Sequence, residues 1–97
     1  MQRQPAVYIL TNRRYGVLYT GVTSALVNQI WEHRKDFVSG FTRHYQAHRL
    51  VYFEIHDSMI AAITREKQSK AWRRSWKVEL IESVNPNWDD LWARIVK

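Results

Sequence analysis

Hydrophobic residues along this chain follow two patterns. In AVYIL (6–10), GVLYT (16–20) and RLVYFE (49–54) they form short runs of β-branched and aromatic residues, too short for helices, which predicts three strands. The polar TNRRY between the first two reads as a hairpin turn, so those strands pair antiparallel. In the third, period-2 alternation sets Val51 and Phe53 opposite to Leu50, Tyr52 and Glu54. A sheet this small needs helices on it.

The second pattern supplies them. Leu26, Val27, Ile30, Trp31 and Phe37 recur at spacings of three and four, predicting a helix that Thr23 or Ser24 can cap and that runs to about Val38. Ser58, after Asp57, starts a second helix with Met59, Ala62 and Ile63 on one face, continuing through Glu66. Ser75 to Val84 continues it or forms a third. Asn85-Pro86 forces a stop, and NWDDLWARIVK predicts a short final helix with Asp89 and Asp90 in its first turn. The expected fold is α/β of the α+β type: a small three-stranded antiparallel sheet flanked by helices.

Ninety-seven residues make one domain, 1–97, with room for one modest core. Fifteen Lys/Arg against nine Asp/Glu leave a net charge of +6, which favours a polyanionic partner, nucleic acid or an acidic membrane surface. Solubility alone is the plainer explanation. No apolar run approaches the roughly 20 residues of a membrane span, and MQRQPAVYIL lacks the features of a signal peptide, so a soluble cytoplasmic protein is expected. Without cysteine, any metal must be held by Asp, Glu, His or water.

Glu66 is the most informative single residue. It falls within the apolar stripe, where a carboxylate must be paired, protonated or bound to a metal. Around it, in REKQSKAWRRSWK (65–77), the basic residues Arg65, Lys67, Lys70, Arg73, Arg74 and Lys77 interleave with Trp72 and Trp76. Phosphate contacts with stacking surfaces fit this composition, as does a solvated basic face over tryptophans that are mostly core. Tyr8 and Tyr19, on the two hairpin strands, project near each other when the hairpin closes. Packing is the commoner role for strand tyrosines, and a structural role is equally open to His33. His44, His48 and His56 lack the spacing of a metal cluster, and no Gly-rich phosphate loop or Ser-nucleophile elbow is present.

Taken together, VYIL with Tyr8, LYTG with Tyr19, a helix with His33, REK with Glu66 and the late NP resemble the GIY-YIG nuclease family, most closely its small single-domain branch. FTRHY, RLVYFE and NP.WDDL are similar to characteristic stretches of that branch, and the resemblance covers nearly the whole chain. It implies hydrolysis of DNA phosphodiesters with one divalent cation, Mg²⁺ or Mn²⁺. Branched or damaged DNA is a candidate substrate, and no membrane is involved. It also implies that Tyr8 activates water, Tyr19 is the tyrosine of the second motif, Glu66 is the metal ligand and His33 belongs to the catalytic group. Asn85 aligns loosely with the family's C-terminal asparagine.

The resemblance places the catalytic arginine eight residues after Gly21, where this chain has Gln29, preceded by Asn28. An amide donates hydrogen bonds but brings neither charge nor a bidentate fork. Arg34, His33 and Arg43 are candidates to compensate. The reading is therefore an endonuclease weakened at Gln29, with a catalytically inactive nucleic-acid-binding module as the alternative. A protein-interaction domain using Trp88 and Trp92 is a third reading.

Overall fold

Strands β1 (Ala6–Thr11), β2 (Leu18–Thr23) and β3 (Arg49–Ile55) form one antiparallel sheet with β1 in the middle. The computed structural model describes residues 4–38 and 40–96. All of β1 is buried, which explains its unbroken apolar run, because a central strand has neighbours on both faces. β2 starts later than GVLYT suggests. Asn12 Oδ1 accepts from Val17 N at 3.1 Å, Gly16 N donates to Arg13 O at 2.8 Å, and Tyr15 takes a left-handed φ of 59°, so the turn extends past Gly16. Gly21 consequently falls inside the strand, opposite Tyr8.

Helices α1 (Leu26–Arg34), α2 (Phe41–Tyr45), α3 (Met59–Lys70), α4 (Arg74–Val84) and α5 (Trp92–Ile95) surround the sheet, the α+β arrangement expected from the sequence. One face carries Ala6, Tyr8 and Leu10 against Leu26 and Ile30 of α1, together with Ala47, Leu50 and Leu91. On the other face Ile9 packs with Val51, Tyr52, Ile81 and Trp88. α3 lies across β2 and β1.

Several expectations are corrected. Strict alternation fails in β3: the register slips between Ile9, opposite Tyr52, and Leu10, opposite Leu50. Such a bulge turns Val51 and Tyr52 to the same face, leaving Leu50 and Phe53 together on the other. Helix α1 ends at Arg34 because Asp36 adopts φ 58°, so Phe37 leaves the helix and meets Trp31 from outside, ring centroids 5.3 Å apart. Neither Thr23 nor Ser24 caps it. Ala25 holds that position, and Thr23 Oγ1 accepts from Ala25 N at 3.0 Å.

Ser58 does cap α3, accepting from Ala61 N, but the buried stripe runs Ala62, Glu66, Ser69, with Ile63 at its exposed margin. Asp89 and Asp90 precede the last helix. Asp90 instead ties it down, accepting from Leu50 N and Trp92 N and pairing with Arg34 Nη1 at 2.6 Å. Trp88 is fully buried and donates to Glu82, so the interaction surface built on Trp88 and Trp92 is not available.

Candidate active site

The hairpin register places Tyr8 opposite Gly21 and Tyr19 opposite Leu10, which makes the two tyrosines diagonal neighbours on one face. Their ring centroids are 6.3 Å apart. α1 crosses this face and sets His33 against both, with ring centroids 5.8 Å from Tyr8 and 5.7 Å from Tyr19. The Tyr8 hydroxyl lies 3.0 Å from His33 Nε2, and Gln29, one turn earlier on α1, brings its amide nitrogen to 3.3 Å from the same atom. His33 Nδ1 is 2.9 Å from Thr42 Oγ1. In the tautomer whose Nδ1–H donates to Thr42, the single lone pair of Nε2 is shared between two donors, the Tyr8 hydroxyl at 3.0 Å and the Gln29 amide at 3.3 Å.

Burial favours the neutral forms of Tyr8 and His33. Burial is the main cause that lowers the pKa of His33, with the positive charge of His48 adding to it. Burial likewise pushes the Tyr8 phenol far up, helped by Tyr19 and by the nearby carboxylate of Glu66, while the Gln29 hydrogen bond acts the other way. Because folding lowers the His33 pKa, the unfolded chain binds the extra proton as pH drops through about 6.5 and the folded chain does not. Stability should therefore fall with pH in that interval. Thermal melts from pH 7.5 downward should show a step that His33→Asn removes, and an identical step in the variant would refute the assignment.

Glu66 is buried beside this group but is already paired, its carboxylate 2.6 Å from Lys70 Nζ one turn further along α3. Sequence reading left pairing open for this carboxylate, and Lys70 is the partner. The described residues hold no group of three potential metal ligands. A single carboxylate still fits a hard cation of the Mg²⁺ type, which keeps several waters and takes its remaining ligands from substrate phosphates. The Lys70 side chain is 52% exposed, so its ammonium can move into solvent.

The remaining site residues predicted from sequence are dispersed. Asn85 is buried at the end of α4, and its amide is used up on Val51 O, Asp89 O and Asp89 N. Arg34 is held by Asp90 and lies over Trp92. Of the basic residues in 65–77, Arg65 pairs with Glu54 and Arg74 binds the carbonyls of Tyr15 and Gly16. Among the described residues, Lys67, Arg73 and Lys77 form no ion pair. The tryptophans there are not mostly core: Trp76 is 49% exposed, and Arg73 and Arg65 lie over Trp76 and Trp72.

Thr42 and Phe41 were missed by sequence reading. Both sit on α2, which is too short to show periodicity. Gly40, with φ 99° just before it, is the one local signal.

A buried Tyr–His pair thus lies beside a carboxylate on a small basic α+β scaffold. The class comes from the comparisons. The model of the GIY-YIG catalytic domain matches residues 4–79, and a UPF0213 protein of Haloquadratum walsbyi is 35% identical over 65 residues, 67% of this chain and 73% of that protein. The chain belongs to the GIY-YIG family. No solved structure matches it. The family comprises nuclease-type domains that act on nucleic acid and generally depend on a divalent metal. No helix among the described residues is long and apolar enough to cross a membrane.

Proposed function

We propose that this chain is a single-domain, cytoplasmic GIY-YIG endonuclease that hydrolyses DNA phosphodiesters with one divalent cation, Mg²⁺ or Mn²⁺, and that Gln29 weakens its turnover. The observation that carries this reading is the buried hydrogen bond of 3.0 Å between Tyr8 and neutral His33, with Tyr19 and Glu66 beside it. A phenol whose pKa is pushed up does not become a free phenolate. It can instead pass its proton to His33 Nε2 while its oxygen takes one from the attacking water, so water is deprotonated without leaving a buried phenolate. When His33 Nδ1–H donates to Thr42 Oγ1, Nε2 is left as the acceptor. Glu66 would hold the cation, which when bound supplies charge neutralisation at the phosphate.

The second reading, an inactive nucleic-acid-binding module, is favoured by the Glu66–Lys70 pair together with Gln29. A cleavage assay on supercoiled and branched DNA with Mg²⁺ or Mn²⁺ separates the two. Nicking that requires the cation and is lost in Tyr8→Phe and Glu66→Gln supports the endonuclease, whereas binding without any nicking supports the module.

Both readings predict salt-sensitive binding. Lys67, Arg73 and Lys77 are the cations of 65–77 that, among the described residues, are committed neither to acids nor to carbonyls, and each phosphate neutralised contributes about 0.9 to the logarithmic salt slope. A slope of about −3 is expected, so a fourfold rise in salt should lower affinity roughly 40-fold. A flat dependence would exclude a nucleic-acid role.

A further inference from the structure

α4 and the corner leading into it hold a cleft that shares no residue with the Tyr8, Tyr19 and His33 cluster. It has a volume of about 420 Å³ and is lined by Trp72, Trp76, Glu79, Leu80 and Ser83. Small-molecule sites span roughly 300–1,000 Å³. Leu80 packs on the Ile9 side of the sheet, whereas Tyr8 belongs to the opposite side. The two indoles form nearly perpendicular walls, with an interplanar angle of 75° and centroids 6.3 Å apart. Trp76 is exposed, so a large flat apolar surface stands open to a stacking partner.

The polar groups of the cleft narrow what that partner can be. Among the described residues Glu79 takes part in no hydrogen bond or ion pair. Ser83 Oγ donates its proton to Leu80 O at 2.7 Å, so it too offers a ligand only an acceptor. The occupant must therefore bring N–H donors. An alkylammonium ion would meet a carboxylate between indoles, but these rings already carry cations. Arg65, held by Glu54 at 3.0 Å, lies 4.7 Å from the Trp72 centroid, and Arg73 lies 5.7 Å from that of Trp76. Both arginines repel a further cation. They tolerate a neutral ring and attract a phosphate attached to it.

These demands describe a nucleobase, and they separate the four bases. Guanine sets two donors, N1–H and N2–H, side by side on its Watson–Crick edge, and one carboxylate accepts both. Adenine and cytosine present one amino group beside an acceptor nitrogen. Thymine presents one N–H between two carbonyls. In those three a lone pair faces the carboxylate. Within a duplex the guanine edge is taken by cytosine, so only an unpaired guanine can offer it.

We propose that the cleft is a recognition site for one unpaired guanine of a nucleic-acid strand, stacked on the Trp72 and Trp76 walls, with Glu79 accepting from N1–H and N2–H and Arg73 meeting the adjoining phosphate. The proposal rests on the nucleic-acid reading for its ligand. It adds a contact that distinguishes bases to cations that do not.

The test is a titration of the full chain, followed by tryptophan fluorescence without divalent cation so that no strand is cut. Its probes are a thymidine decamer and the same decamer with one central guanine. The guanine should tighten binding about tenfold, and annealing that strand to its complement should abolish the preference. Glu79→Gln should remove most of the preference while leaving affinity for the all-thymine strand equal or higher. Trp76→Ala should weaken binding of the guanine strand about tenfold, with Trp76→Phe restoring part of it. Both side chains are exposed, and unchanged thermal melts verify that the variants fold. Equal affinity for the two decamers, or a preference that survives both Glu79→Gln and Trp76→Ala, would overturn the site. Quenching by tetramethylammonium that Trp76→Ala removes would overturn it in favour of a cation cage. If both decamers bind equally and salt weakens them, the nucleic-acid reading stands and the guanine site alone falls; if neither binds, both fall.

Discussion

Replacing Gln29 with Arg is expected to raise single-turnover DNA cleavage by ~100-fold or more while changing DNA affinity far less. Affinity is set by many dispersed cations, whereas a guanidinium here acts on charge that develops at one phosphate in the transition state. Gln29 is well placed for the exchange. It is one turn from His33 on α1, half-buried, with its amide nitrogen already within 3.3 Å of His33 Nε2. Adding Glu66→Gln should abolish the gain. If Gln29→Arg leaves cleavage at background while a Mn²⁺ titration still shows binding that depends on Glu66, the binding-module reading replaces the endonuclease.

Much of the fold was legible because burial and periodicity coincide. β1 reads as a buried strand in sequence and is one, and Ser58 marks the start of α3. The bulge at Val51 was not legible, since RLVYFE alternates no differently from a regular strand and only pairing with Leu10 reveals the slip. The early end of α1 was hidden for a similar reason: Phe37 continues the apolar spacing, while the left-handed residue that ends the helix, Asp36, is an ordinary polar residue in sequence. At the site, the resemblance brought Tyr8, Tyr19, His33 and Gln29 to notice, and they do lie together. What holds them could not be seen. Thr42 is nine residues from His33 and comes from a five-residue helix, and the pairing of Lys70 with Glu66 is one of several that the basic stretch allowed.

Gly21→Ala should produce the largest loss of stability for the smallest change in atoms. A Cβ on Gly21 would lie 2.4 Å from both Cζ and the hydroxyl oxygen of Tyr8 and 2.8 Å from Cε2, because the tyrosine ring lies across the bare Cα of its cross-strand partner. Tyr8 is 2% exposed and packed within the core, so the ring has little space to retreat. Overpacking of this kind costs about 1–3 kcal/mol. If the ring does move, the hydrogen bond to His33 breaks and leaves a buried imidazole nitrogen without it, at a cost of about 1–3 kcal/mol more. For a chain of this length each kcal/mol corresponds to roughly 4–8 °C in Tm, so a drop of well over 5 °C is expected, together with loss of cleavage. The cause can be isolated because the clash involves one ring. In a Tyr8→Ala background the Gly21→Ala change should cost little, and the two substitutions should be strongly non-additive. Equal losses in both backgrounds would place the requirement for glycine in the β2 backbone instead and would detach Gly21 from the Tyr8 ring.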